Sequence, residues 1–511
     1  MKRMTLLMTV VINTLMGASV LANASGPYQA TGIKIGEVTS NTAIIWTRLT
    51  EAPYRVGSEG GFPDIQYADP ETGEIKSTGS KRPKELRPVV QFPSERGVNA
   101  LEGAAPGTPG EVRVLYRESG VGQADWRITD WTNVDPDRDF THQFILTELT
   151  SNVQYDIRVD SRSGEDSGQT VVGQFQTAAN PDQAARVLFT VSTGQRYGEQ
   201  EQESGYKIYP EMLKLDPDFF VHTGDIVYYD REAKTIPLAR WHWQRTYSLL
   251  TNVDFHRQVA SYFIKDDHDT WQNDCWPSME SLYMGDFTFE QGVEIFTEQV
   301  PMGFFDADAT FNDGGGNNKT WRTARWGTDL QIWMVEGRDY RSPNTMEDGP
   351  EKTIWGAEQM DWFMNSFSES DAAYRILISP TPIVGPDRPS KNDNHANSGF
   401  QYEGRAIREF LAGQENAFTI CGDRHWQYVS NDPQTGLQEF SCGPATDQHA
   451  GGFSEEDRNA MHQYLNIKGG FLSVEVDRLD NTPTIFFRHH GVDGDIYNTV
   501  QYSCDSEVSE F

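Results

Sequence analysis

Three short apolar runs in this chain end in the same abrupt way. Phe219-Phe220-Val221-His222 runs into Thr223-Gly224-Asp225, Tyr262-Phe263-Ile264 into Lys265-Asp266-Asp267-His268-Asp269, and Phe418-Thr419-Ile420 into Cys421-Gly422-Asp423-Arg424-His425. Short, nearly continuous apolar runs read as strands covered on both faces, and such sheets gather their working polar groups at the C-terminal strand ends. One strand-ending Asp is more often a turn or a helix cap than a ligand. Three carboxylate-bearing ends at one sheet edge repel one another unless a cation neutralises them, so the pattern constrains the fold to a sheet built around a polycarboxylate site.

Around these ends the texture is strand, helix, strand. Further apolar runs lie at Val187–Val191, Leu330–Val335, Tyr374–Ile378, Phe471–Val476 and Thr484–Phe487, with helical spacing near Tyr209–Leu215, Ala239–Leu250 and Ala357–Phe367. That alternation predicts a layered α/β domain over residues 186–505, preceded by a linker at 178–184. Residues 25–178 differ: Gly, Pro and Thr separate short alternating runs such as Ala43–Arg48 and Tyr155–Val159, the spacing of a β-sandwich. The segments around Gly36–Ser40 and Leu146–Thr177 resemble a fibronectin type III-like module. Its Gly/Pro-dense middle, 53–109, reads as loop, and Asn312–Asn318 as a hairpin loop. Trp241, Trp243 and Tyr247 recur at helical spacing and read as core, as does the mid-strand His222.

The 511 residues carry 43 Lys+Arg against 75 Asp+Glu, a net charge of −32. A field of that sign excludes a nucleic-acid-binding module. Lys2 and Arg3, an apolar run from Leu6 to Val20 and the small residues Ala22 and Ala24 read as an export signal over 1–24, cleaved near Ala24, which places the product in the periplasm or outside the cell. No later stretch supplies the roughly 20 apolar residues a membrane span needs. Cys275, Cys421, Cys442 and Cys504 are an even set in an oxidising compartment; either two bridges form or the thiols are buried apolar groups.

Taken in order, HTGDIVYYD at His222–Asp230, KDDHDTWQNDCW from Lys265 and CGDRHWQ at Cys421–Gln427 resemble the metallophosphoesterase superfamily, specifically its PhoD-like branch of alkaline phosphatases and phosphodiesterases. The resemblance implies a mixed α/β fold, an N-terminal sandwich followed by an α/β/β/α catalytic domain. It implies that Asp225 bridges two metal ions, that Tyr228 is a phenolate ligand to iron, that Asp267 and Asn273 bind the second ion, and that Asp423 and His425 complete the spheres. It also implies Fe(III) with Ca(II) as the pair, because phenolate suits a trivalent ion and carboxylate and amide oxygens suit calcium. His268 would be the catalytic side chain, orienting the attacking water or protonating the leaving alkoxide. Arg338, in Glu336–Arg341, resembles a phosphate-binding arginine of the family; either it forks onto phosphate or it pairs with Glu336 or Asp339. His395, in the loop 392–395, is a second substrate-binding candidate.

The chain departs from the family pattern at three places. Gly194 of Ser192-Thr193-Gly194-Gln195 stands where a Cys ligand is usual, Asn273 falls one residue later than the common spacing, and the start lacks a twin-arginine signal. The expected function is metal-dependent hydrolysis of small or polymeric phosphoesters by an activated water. Two alternatives stand beside it: a phospholipase-D-like phosphodiesterase acting on lipid headgroups or polymers, and a calcium-binding surface or adhesion protein whose site has decayed.

Overall fold

A computed structural model of the protein describes residues 26–78, 82–122, 125–302 and 319–504. The expected export signal and the Asn312–Asn318 loop lie outside them. Two large sheets face each other through one apolar core. The first has nine strands, in spatial order Ile496–Ser503, Thr482–His490, Phe471–Leu479, Val187–Ser192, Phe219–His222, Ala260–Phe263, Ile33–Gly36, Ala43–Arg48 and Thr141–Leu146. The second has seven: Arg322–Trp326, Leu330–Met334, Tyr374–Ser379, Ala417–Cys421, Gln438–Cys442, Gln427–Asn431 and His462–Asn466.

Alternation along each strand decides which face it covers. Val187, Phe189 and Val191 point into the space between the sheets, where Phe219 stacks on Phe189 and on Trp326 of the facing sheet, ring centroids 4.6 and 4.7 Å apart. Phe220 points the other way, onto Tyr209 and Met212 of the helix Ile208–Lys214. On the outer face of the second sheet Trp333 and Leu377 meet Phe363, Phe367, Ile407 and Leu411 of the helices Gly356–Glu369 and Gln401–Ala412. The layers are therefore helix, sheet, sheet, helix.

The N-terminal strands are not a separate bead. Ile33–Gly36 pairs with Ala260–Phe263 at Gly36 and Ser261, so one sheet of the sandwich continues the nine-stranded sheet. Its other sheet is built from Glu111–Glu118, Gln154–Ser163 and Asp166–Gln176. Ile33 and Ile45 share the core with Val112, Val114 and Ile157. The segment read as loop, 53–109, contains three short strands, Asp64–Ala68, Ile75–Lys76 and Arg87–Gln91, which pair only with one another. Their polar composition fits that placement, since Arg87–Gln91 shows no fully buried side chain. Among the described residues the cysteines form no disulfide: Cys275, Cys421 and Cys442 are buried thiols. No helix of the described residues is long and apolar enough to cross a membrane.

Candidate metal and phosphoester site

Parallel pairing of Val187–Ser192 with Phe219–His222, and of the latter with Ala260–Phe263, sends three chain segments out at one sheet edge. Tyr374–Ser379 and Ala417–Cys421, parallel in the facing sheet, deliver the fourth. The loops close over this edge by tight turns. Asp225 and Asp423 both adopt left-handed backbone, with φ of 55° and 59°, a conformation non-glycine residues hold only where surrounding structure enforces it. Gly224 precedes Asp225 because a Cβ there would lie 2.5 Å from the Asp266 Cβ. A side chain at 224 would hold these two carboxylate-bearing loops apart.

The result is a cavity of about 330 Å³ that Asp225, Asp267, His268, Asn273, Asp423 and His425 line together. Asp225 Oδ2 accepts from the Tyr228 hydroxyl at 3.1 Å and lies 3.2 Å from His425 Nε2, while Oδ1 is buried without a hydrogen-bond partner. Burial opposes ionisation of Asp225, yet His268, His425 and His449 hold its carboxyl well below the usual range. Burial and the Asp225 charge push the Tyr228 phenol up, so its hydroxyl donates. Burial lowers His425 to about 4 and leaves it neutral. On the other side of the cavity Asp267 accepts from the backbone N–H groups of His268, at 2.7 Å, and Asp274, at 2.5 Å.

An ionised, half-satisfied carboxylate, a second carboxylate, a neutral imidazole and a phenol aimed at one space form a hard cation's donor set. Among the described residues, Asp225, Asp267 and His268 bring one ligand atom each within 4.8 Å of one another. His268 is otherwise committed. Its Nδ1 pairs with Asp230, its ring lies on Tyr228 with centroids 4.4 Å apart, and its Nε2 is 4.0 Å from Asp267 Oδ1. Burial disfavours charge on this ring, but Asp230, Asp267 and Asp225 override it and hold its pKa well above the ordinary value.

The structure does not bring Arg338 or His395 to the cavity. Arg338 is fully buried behind it, its Nε 2.6 Å from Asp266 Oδ1 and its Nη1 donating to the Cys275 carbonyl. Of the two expectations for Arg338 the ion pair prevails, but with Asp266; Glu336 and Asp339 are taken by Lys265. His395 is buried against Trp355, with Nε2 2.8 Å from Glu403. His395 thus serves Glu403 and the core around Trp355 rather than the cavity.

Three lining residues carry no sequence signal of the kind that marked the others. His449 comes from the loop after Gln438–Cys442 and places Nε2 2.6 Å from the Tyr228 hydroxyl. Arg388 and Lys391 bring positive charge to the cavity wall, Lys391 balanced by Asp274 and Asp393 at 2.8 and 2.9 Å.

Residues 189–473 match the PhoD-like phosphatase family. Alkaline phosphatase D of Bacillus subtilis (strain 168) is 20% identical over 448 residues, which cover 78% of this chain and 65% of that protein. The chain thus spans just under two thirds of its relative's length. The solved structure of PhoD superposes with a TM-score of 0.68 at 16% identity, covering 94% of this chain and 91% of that one. Purple acid phosphatase PPD1 from yellow lupin seeds gives 0.54 at 12% identity, covering 90% and 79%. At such identities the superpositions speak for the fold.

Proposed function

The chain belongs to the PhoD-like phosphatase family, and from that premise we propose that it is a metal-dependent hydrolase of phosphoric esters. One observation carries the reading: the buried, unsatisfied Asp225 carboxylate stands between Tyr228 and His425 on one side and Asp267 and Asn273 on the other, in a cavity with Arg388 and Lys391 on its wall. Asp225, Tyr228 and His425 would hold one cation and Asp267, Asn273 and Asp423 a second, with Asp225 shared. Such a pair, when bound, supplies Lewis-acid activation of water and neutralises charge on the phosphoryl group. Fe(III) with Ca(II) is our assignment, because the Tyr228 phenol suits a trivalent ion and the Asp267 and Asn273 oxygens a hard divalent one.

The chain's own residues do the rest. His268, held protonated by Asp230, sits beside Asp267 at the cavity and gives its Nε2 proton to the leaving alkoxide. Asp230 fixes that ring's orientation and is itself fixed by the Asn273 backbone N–H at 2.9 Å and by Arg82 at 2.8 Å. Arg388 and Lys391 draw the anionic substrate in and oppose the repulsion from the surrounding carboxylates. Their charge favours a phosphate bearing free oxygens, so monoesters fit this wall best. Export rests on residues 1–24, and the mature protein would start near Ser25.

Purified protein assayed with 4-nitrophenyl phosphate and bis(4-nitrophenyl) phosphate tests the reading. Turnover that chelation abolishes and added metal restores is the expected result. Absence of hydrolysis of either ester with iron, calcium, zinc and manganese, singly and in pairs, would leave a binding protein in its place. N-terminal sequencing of the secreted form tests export.

A further inference from the structure

Gly194 leaves a gap in the ring of donors around Asp225, and another residue reaches into it. The strand Val187–Ser192 ends beside the site, yet at Gly194, with φ of 57°, it presents no side chain. A Cβ built on Gly194 would lie 3.2 Å from His449 Cδ2 and 3.3 Å from His425 Cδ2. The volume a side chain at 194 would enter is therefore bordered by two imidazoles, and one of them comes from a loop outside every motif read from the sequence.

That loop is built onto the gap. Ala445 N donates to the carbonyls of Thr193 and Gly194 at 3.0 and 3.2 Å, and Gly451 N donates to the His425 carbonyl at 2.9 Å. His449, between them, is nine-tenths buried. Its Nδ1 is 2.5 Å from Glu199 Oε2, and Glu199 is held by Arg196 at 2.8 Å. Its Nε2 is 2.6 Å from Tyr228 Oη, and Tyr228 Oη is 3.1 Å from Asp225 Oδ2 and 3.5 Å from His425 Nε2. A carboxylate on Nδ1 fixes the tautomer that leaves the Nε2 lone pair free, which is the arrangement of metal-ligating histidines. In the present geometry His449 Nε2 and Asp225 Oδ2 both border the Tyr228 hydroxyl, which has one proton to share between them.

We propose that His449 Nε2 is a metal ligand that fills the position left without a side chain at Gly194, completing a set of two oxygens and two nitrogens with Asp225, Tyr228 and His425. Glu199 is the residue that orients it. The inference rests on the metal-site reading above and deepens it. An imidazole in place of a thiolate removes one negative charge and the soft donor from this half of the site, so the half suits ions that accept mixed imidazole and oxygen donors, zinc and iron among them.

Metal content per chain, measured by mass spectrometry after zinc loading and desalting, separates the possibilities. Wild type is expected to hold two equivalents, and His449→Ala and His449→Gln one. Glu199→Gln is expected to keep both while weakening one about 10- to 100-fold in competition with a chelating dye. Circular dichroism in EDTA checks that each variant folds. Anomalous diffraction from zinc-soaked wild-type crystals needs no variant: an ion about 2.0–2.1 Å from His449 Nε2 supports the proposal. Two equivalents retained in both His449 variants, or an ion bound by Asp225 and Tyr228 with His449 out of reach, overturns it. No metal retained by wild type after loading with iron, calcium, zinc or manganese would instead defeat the metal reading itself.

Discussion

Asp230 Oδ2 accepts a hydrogen bond from His268 Nδ1 and so decides where the other ring nitrogen points, toward the Asp267 carboxylate at 4.0 Å. The two residues are brought together by loops from neighbouring parallel strands, Phe219–His222 and Ala260–Phe263. If His268 protonates the leaving oxygen, its removal hurts most where that oxygen is a poor leaving group. His268→Asn is expected to lower kcat on an alkyl phosphate about 100-fold or more and on 4-nitrophenyl phosphate far less. Asp230→Asn, which keeps the ring but loosens it, is expected to give the same bias at smaller size. Equal losses on both esters in steady-state kinetics would move His268 from proton donor to phosphate or water positioning.

Arg338 acts from behind the cavity. It is buried with Asp266, the residue before the ligand candidate Asp267, and it also holds the carbonyl of Cys275, two residues after Asn273. Breaking a buried pair strands a charge and costs about 3–5 kcal/mol. Arg338→Gln is therefore expected to lower the melting temperature sharply and to weaken metal binding through displacement of Asp267 and Asn273. KM for the ester should change little in whatever fraction stays folded and loaded. A KM effect with unchanged stability, seen by calorimetry alongside kinetics, would return Arg338 to the substrate.

Much of this site was legible because the chain marks it twice: apolar runs fix the strands, and the sudden carboxylates after Val221, Ile264 and Ile420 fix their C-terminal ends. The central strands of both sheets follow those runs closely. What escaped is set by long-range packing. Strands such as Gln427–Asn431 and Ile496–Ser503 mix polar and apolar residues without a strong period, and the first is buried only by its neighbours. Burial also separated look-alikes, since nothing local distinguishes Arg338, spent on Asp266, from Arg388 at the cavity wall. His449 had one faint cue, a His in the Gly-flanked stretch Gly443–Gly452 after the run ending at Cys442. Its partners Glu199 and Tyr228 are more than two hundred residues away, a pairing only the fold creates.

Arg388 is the exposed cation of the cavity wall, with 38% of its side chain open to solvent. Its neighbour Asp387 keeps a second partner, Arg424, at 2.7 Å, so Arg388 can be removed without stranding a buried charge. Arg388→Ala is expected to raise KM for 4-nitrophenyl phosphate about tenfold, the equivalent of about 1.4 kcal/mol, with kcat within about twofold and metal content unchanged. The effect should shrink as salt is raised, because the attraction acts across water. A fall in kcat at constant KM would place Arg388 on the transition state instead.

Asp218 gives a test of stability remote from the chemistry. It stands before the strand Phe219–His222, and its Oδ2 accepts from the Leu188 backbone N–H at 2.8 Å. Burial raises its pKa from 3.8 to about 6, more than the Leu188 hydrogen bond and the Arg186 charge lower it. A carboxyl whose folded pKa exceeds its unfolded one binds more protons when folded, so the native state loses stability as pH rises from about 4 to about 6 and gains nothing back above that. At pH 8 the full penalty for about two units is about 3 kcal/mol, and at pH 4.5 about 1 kcal/mol. Asp218→Asn keeps an oxygen for Leu188 and removes the charge. Urea unfolding is expected to show the variant more stable than wild type at pH 8, by up to that amount, with the gain shrinking to about a third at pH 4.5. A variant less stable at pH 8, or a gain that does not vary with pH, would mean that Asp218 is ionised at no cost and that its contact with Leu188 depends on the charge.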